Sequence, residues 1–151
     1  MGKTKITVLC ENTAWKPMGI TGEHGFCALV EQDGQQILFD TGQGMSLANN
    51  ARVLGVDLAE IKTVVLSHGH YDHTGGLPAV LYPPRGVDIM AHPDVFAEKY
   101  AELDTAVKQH VFIGMKYTRH YLEGTLGARF TFLKNCTEIG PNVFFSGEVP
   151  R

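Results

Sequence analysis

His68, Gly69, His70, Tyr71, Asp72 and His73 spell HxHxDH, a run of six residues holding three imidazoles and one carboxylate. Imidazole and carboxylate bind borderline divalent ions, and their density here suits two neighbouring metals. The four fixed positions would recur by chance somewhere in the chain with a probability of about 7 × 10⁻⁴. In extended backbone, residues two apart face the same side. His68 and His70 therefore address one ion, while Asp72 and His73, past a bend, address a second. Zinc suits these donors best, as one or two ions, with manganese or iron as alternatives because ligand type alone does not choose among them. Two such ions lower the pKa of a shared water from ~15.7 toward ~7 and polarise a carbonyl or phosphoryl oxygen. The expected nucleophile is metal-held hydroxide. Asp72 is the expected catalytic carboxylate, orienting that water or returning its proton to the leaving group. Thr74, Gly75 and Gly76 are expected to start a helix whose free amides and dipole favour an anionic oxygen.

Weaker chemical signals lie elsewhere. Asp40-Thr41-Gly42 follows an apolar run and reads either as a strand-ending turn or as the nucleophile loop of an aspartic-protease dimer. Gly42-Gln43-Gly44 resembles the start of a dinucleotide fingerprint, but Leu47 stands where its third glycine belongs. His24 and His92 border strands and are candidate pocket residues, each more often a wall or a helix cap than a ligand. Trp15 reads as a loop anchor or core cover.

Several elements must position these groups. Lys5 to Cys10, Phe26 to Val30 and Gln36 to Phe39 are β-branched and apolar, and Asp33-Gly34 joins the last two as a hairpin. Lys62 to Leu66, KTVVL, is a continuous apolar run, the mark of a strand buried on both faces, and the HxHxDH run follows its carboxyl end. Ser46 to Leu54 and Asp57 to Ile61 read as helical, with Ser46 and Asp57 as N-caps. A helix is expected over Thr74 to Tyr82, stopped by Pro83-Pro84. Asp88 to Ala91 is a further strand, Pro93 opens a helix over Asp94 to Leu103, and Thr118 to Gly124 is another helix. Strands over Arg129 to Leu133 and Asn142 to Ser146 close the chain. Strands alternating with helices imply α/β layers, with no internal repeat or linker.

The 151 residues are 44% hydrophobic and 19% charged, an ordinary globular composition that sets a single domain over 1–151 as the expectation. A net charge of −3 gives no basic footprint for nucleic acid or an anionic membrane, so small molecules are the expected substrates. Cys10, Cys27 and Cys136 are odd in number and show no CxxC spacing, so neither a disulfide framework nor a thiolate zinc site is indicated. A reducing cytoplasm is the expected compartment. The start of the chain lacks an apolar signal core, and no apolar run approaches the ~20 residues that span a bilayer.

The strand KTVVL, the run SHGHYDHTGGL and the upstream LFDTG together resemble the metallo-β-lactamase superfamily. Wider segments, ENTAWKP, EHGFCALVE, AHPDVF and SGEVPR, are similar to its branch that includes dihydropterin phosphate synthase-like proteins. The resemblance implies an αβ/βα sandwich, of which this chain is the N-terminal half, a mixed sheet with flanking helices. It implies that His68 and His70 bind the first metal, that Asp72 and His73 bind the second, and that Asp40 supports these ligands from behind. Cys27 stands where this branch more often has serine. Family members carry a further histidine, a bridging aspartate and a final histidine in a C-terminal half beyond Arg151. Catalytic zinc usually takes three protein ligands plus water, and this motif gives two per ion. His92, His110 or His120 is then expected to substitute, or another chain to complete the site, or the chain is a truncated, non-catalytic remnant. A half sandwich exposes a sheet face, so a homo-oligomer or a partner supplying the missing half is expected.

Overall fold

The computed structural model describes residues 3–14, 19–103 and 109–149. Trp15 lies outside the described residues. Three β-branched segments form β1 (Thr4–Cys10), β2 (Cys27–Gln32) and β3 (Gln35–Phe39), paired antiparallel in sequence. Gln32 faces Gln35 across a two-residue turn, where Asp33 at φ 49° and Gly34 at φ 83° take the left-handed conformations that such a hairpin requires. The expected Asp-Gly hairpin is present.

From β3 onward the sheet becomes parallel. It adds β4 (Thr63–Val65), β5 (Asp88–Ala91) and, beyond two intervening strands, β8 (Arg129–Phe132), in the order β1-β2-β3-β4-β5-β8. The central strand β4 is buried on both faces, as its unbroken apolar run demands. Val64 enters the main core with Leu38, Leu66 and Ile89, whereas Val65 joins a smaller cluster with Ile37 and Phe145 on the opposite face. Helices α1 (Leu47–Val53), α2 (Tyr71–Thr74) and α3 (Leu77–Leu81) accompany the sheet, and Leu47, Leu77, Val80 and Leu81 are sealed in the main core. The result is the expected α/β class with a mixed sheet and flanking helices.

Three expected elements differ. The helix over Thr74 to Tyr82 is two short helices broken at Gly75-Gly76, because the loop after β3 presses on the backbone there. A Cβ on Gly75 would lie 2.1 Å from the Gln43 carbonyl oxygen, and one on Gly76 would lie 2.1 Å from that of Thr41. The helix over Asp94 to Leu103 is a 3₁₀ turn, Pro93–Phe96, followed by β6 (Tyr100–Leu103), which pairs with β7 (Gln109–Phe112) in a separate ribbon. Tyr100 packs edge-on against Phe112 across that ribbon, a cross-strand contact that outweighs local helix propensity. Thr118 to Gly124 yields a single π turn, Tyr121–Thr125, with Leu122 fully buried. The strand expected over Asn142 to Ser146 is present as β10 (Val143–Phe145), and it pairs with β9 (Thr137–Gly140), a strand with no counterpart among the expected elements.

The β9–β10 ribbon covers only part of the second sheet face. By register, Ile6, Val30 and Ile37 continue one row across β1 to β3, and Val8, Ala28 and Phe39 continue another. Ile6 remains 64% exposed and Phe144 61% exposed, so this face keeps an open apolar cleft of about 1030 Å³. No helix among the described residues is long and apolar enough to cross a membrane. Cys10 and Cys27 are buried free thiols and Cys136 is exposed and free.

Candidate metal centre

The parallel strands bring the chemistry to one edge. β3 ends at Phe39 and delivers Asp40, β4 ends at Val65 and leads into Ser67 and His68, and β5 ends at Ala91 and delivers His92. Ligand sites of open parallel sheets sit at such carboxyl ends. Asp40 takes a left-handed turn at φ 56°, which swings the chain out of the strand while its amide still donates to the Val65 carbonyl at 2.9 Å. Its side chain, 1% exposed, is directed at the HxHxDH run.

Hydrogen-bond accounting at Asp40 fixes two tautomers. The Ser67 amide donates to Oδ1 at 2.8 Å, and the Ser67 hydroxyl donates to Oδ2 at 2.6 Å. With its proton so placed, the Ser67 oxygen can only accept from His68 Nδ1, 2.9 Å away. His73 Nδ1 lies 2.7 Å from Asp40 Oδ2, and a carboxylate only accepts, so this nitrogen carries the proton. The neutral rings of His68 and His73 are thus both left with a bare Nε2. Asp40 is spent on these bonds and enclosed, which leaves no free face on which to activate water. The aspartic-protease reading of this turn fails on that geometry.

The imidazoles are clustered. The His68 ring lies 4.4 Å from His70 and 4.2 Å from His73, centroid to centroid. Asp72, 9% exposed, sets Oδ2 at 3.8 Å from His73 Nε2 and 3.3 Å from His24 Nε2. Burial, with His73 and His70 alongside, holds the His68 imidazole below its usual range. Burial acts the same way on His73, but the Asp40 hydrogen bond and the charges of Asp40 and Asp72 outweigh it and raise that ring.

By type and tautomer this donor set fits a divalent ion. By number it stops short, since among the described residues no three His, Cys, Asp or Glu side chains are gathered to hold one ion. The expected substitutes do not supply the third donor there. His110 lies exposed on β7, and His120 is exposed at the start of the π turn. His92 lines the apolar cleft beside His68 and Gly69, but it acts as a cap, its Nδ1 accepting from the Asp94 amide at 3.1 Å. Its Nε2 has no hydrogen-bond partner, and Glu148 Oε2 is 3.8 Å away.

The anion site expected at Thr74 to Gly76 is not built as foreseen. Asp72 and His73 already lie within α2, with His70 as its N-cap. The Thr74 amide donates to the His70 carbonyl and the Gly75 amide to the Gly42 carbonyl, both within 3.1 Å, so neither is free for a ligand.

Three supports escaped the sequence reading. Ser67 stands beside the motif but carries no signal of its own role. Residues 113–117 back the motif: the Tyr71 amide donates to the Ile113 carbonyl at 3.0 Å, His70 bridges Gly114, and the Tyr117 hydroxyl donates to the Gly75 carbonyl at 3.3 Å. Glu23, only 5% exposed, accepts the amides of Gln43, Gly44, Met45 and Ser46 at 2.8–3.3 Å. Burial alone would raise its carboxyl, but these amide donors and Cys10 bring it below the usual carboxylate range. Glu23 therefore fastens the loop that leads into α1; Ser46 stands at the N-cap position but makes no capping bond, its hydroxyl donating to Cys10 Sγ at 3.4 Å, while Asp57 does cap its own turn. The Gly-rich loop ahead of a helix was the only hint that an acidic group was required.

Comparison with known proteins agrees with this architecture. The sequence signature of the metallo-beta-lactamase superfamily matches residues 20–143. An uncharacterized protein of Methanocaldococcus jannaschii is 33% identical over 148 residues, covering 97% of this chain and 54% of its own length. The 7,8-dihydropterin-6-methyl-4-(beta-D-ribofuranosyl)-aminobenzene-5'-phosphate synthase of the same organism is 28% identical, covering 96% of this chain and 50% of its own length. Among crystal structures, a metal-dependent hydrolase of the beta-lactamase superfamily superposes with a TM-score of 0.67 at 31% identity, covering 94% of this chain and 47% of its own. The chain spans about half the length of each of these proteins. With the match running from before β2 into β10, the chain belongs to the metallo-beta-lactamase superfamily.

Proposed function

We propose that this chain carries the metal-binding half of a hydrolase that cleaves an ester, lactone or phosphoester bond in a small molecule. The observation that carries the reading is the Asp40 carboxylate, which holds His73 directly and His68 through Ser67. Outer carboxylates that set the tautomer of ligating histidines are a recurrent device of metal sites. His68, His70, Asp72 and His73 would hold one or two ions, zinc by preference and manganese or iron by donor type. A divalent ion so held supplies Lewis acidity, acidifying water and polarising the scissile carbonyl or phosphoryl oxygen. Asp72 Oδ2 receives the proton of the attacking water and returns it to the leaving group. The apolar cleft that ends at Ser67, His68 and Gly69 receives the non-reacting part of the substrate.

A second reading rests on the two donors per ion and on the same cleft. Here the chain is inactive alone, and a second copy or a separate polypeptide covers the open sheet face and supplies further ligands. One experiment separates the two: metal content by elemental analysis with oligomer mass, alongside turnover of ester, lactone and phosphoester panels. About two ions per chain with turnover abolished in His70→Ala supports the first reading, and full turnover in that variant removes it. Metal-poor chains that hydrolyse nothing until a partner is added support the second.

A further inference from the structure

The segment Glu23-His24-Gly25 is bolted to the site from outside the HxHxDH run. At one end, the Glu23 carboxylate is fixed by four amides of the loop that follows β3. At the other, Gly25 lies against α2. A Cβ on Gly25 would fall 1.9 Å from the Asp72 carbonyl oxygen, and φ at this residue is +117°, a conformation L side chains rarely adopt. The next amide, Phe26, donates to that Asp72 carbonyl at 3.4 Å, and the Gly25 amide donates to Asn12 Oδ1 at 3.3 Å. Between these anchors His24 projects with its side chain 66% exposed, yet its Nε2 stands 3.3 Å from Asp72 Oδ2. An exposed imidazole has no packing reason to rest on one carboxylate oxygen, whereas the backbone on both sides of it is built to that position.

We propose that His24 is a positioning residue for Asp72, holding the Oδ2 oxygen from the solvent side while α2 holds its backbone. This rests on the reading of HxHxDH as a metal site. His24 holds the carboxylate rotamer through the contact of its Nε2 with Oδ2, as the outer partners of ligating carboxylates do. Glu23 and Gly25 act through His24: the first anchors the segment, and the second lets it approach α2 without a side chain between.

The test is cobalt(II) binding, followed by its visible absorption, to the wild-type chain and to His24→Ala, His24→Gln and His70→Ala. Thermal unfolding of each metal-free protein runs in parallel. His24→Ala is expected to unfold like wild type, because the ring is exposed, but to bind cobalt about 10–100-fold more weakly with an altered spectrum. His24→Gln, which keeps an amide N–H donor, is expected to recover most of the affinity and the spectrum. Wild-type affinity and spectrum in His24→Ala overturn the proposal, as does a glutamine variant no better than alanine. If the wild-type chain and His70→Ala are alike in taking up no cobalt, the metal reading itself falls and takes the proposal with it.

Discussion

Asp40 and Glu23 are both buried carboxylates, but they answer different donors. Asp40 takes the Ser67 amide on one oxygen and the Ser67 hydroxyl and His73 on the other, so Asp40→Asn, whose carbonyl oxygen can keep the amide bond, is expected to leave the fold intact. It replaces an acceptor oxygen with an amide facing the Ser67 hydroxyl and His73 Nδ1. The tautomers are then no longer enforced, and metal affinity measured by competition with a chromophoric chelator should fall about 10–100-fold. Glu23 serves backbone amides, so its loss is felt in stability. Its carboxyl is held below the usual range, so its contribution is present above the unfolded-state pKa, near 4.5, and is lost as pH falls through the folded value. Glu23→Gln keeps one acceptor oxygen but sets a donor against the remaining amides. It should cost on the order of 2 kcal/mol at pH 7 in urea denaturation, and the gap to wild type should narrow at pH 3.

At the level of elements, two glycines separate conformational cost from steric cost. Gly34 has φ 83° and open space around its missing Cβ, so Gly34→Ala should destabilise by about 1–2 kcal/mol, read by denaturation, with metal uptake unchanged. At Gly69 a Cβ would lie 1.8 Å from the Val95 carbonyl oxygen, so Gly69→Ala should displace the turn between His68 and His70 and lower metal uptake. The same contrast explains what could be read from the chain. The Asp-Gly hairpin and KTVVL announce themselves because their signals are local: turn residues in one case, an unbroken apolar run in the other. HxHxDH was legible because four chemically distinctive residues fall within six positions. The split at Gly75-Gly76 was not legible, because it is imposed by a loop more than thirty residues earlier. Nor was the Tyr100–Leu103 strand, because pairing with β7 and the Tyr100–Phe112 contact define it rather than any pattern in its own four residues. Glu23 and Ser67 are ordinary polar residues until the fold surrounds them.

At the level of the whole molecule, the two faces of the sheet are unequally covered. On the helical face Leu38 of β3 is fully buried in the main core, so Leu38→Ala should cost about 2–5 kcal/mol in equilibrium unfolding. The opposite face leaves Ile6, Val8 and Phe144 exposed beside the apolar cleft. If a second copy covers this face, the chain sediments as a dimer or larger at micromolar concentration and Phe144→Glu shifts it toward monomer. Wild-type sedimentation as a monomer would argue against that interface. The parallel run of β3, β4, β5 and β8 has a separate consequence for engineering. The connections at their carboxyl ends open at Asp40, Leu66, His92 and Leu133, and those after β3, β4 and β5 carry the candidate site residues Asp40, His68 and His92. The connections after β3, β4 and β5 touch one another, because Asp40 bonds Ser67 and His73 and Gly69 packs on the Val95 carbonyl, so substitutions in them are expected to couple rather than add. Redesign of this edge therefore has to vary the three connections together, with the 43–46 turn left alone because Glu23 ties it down.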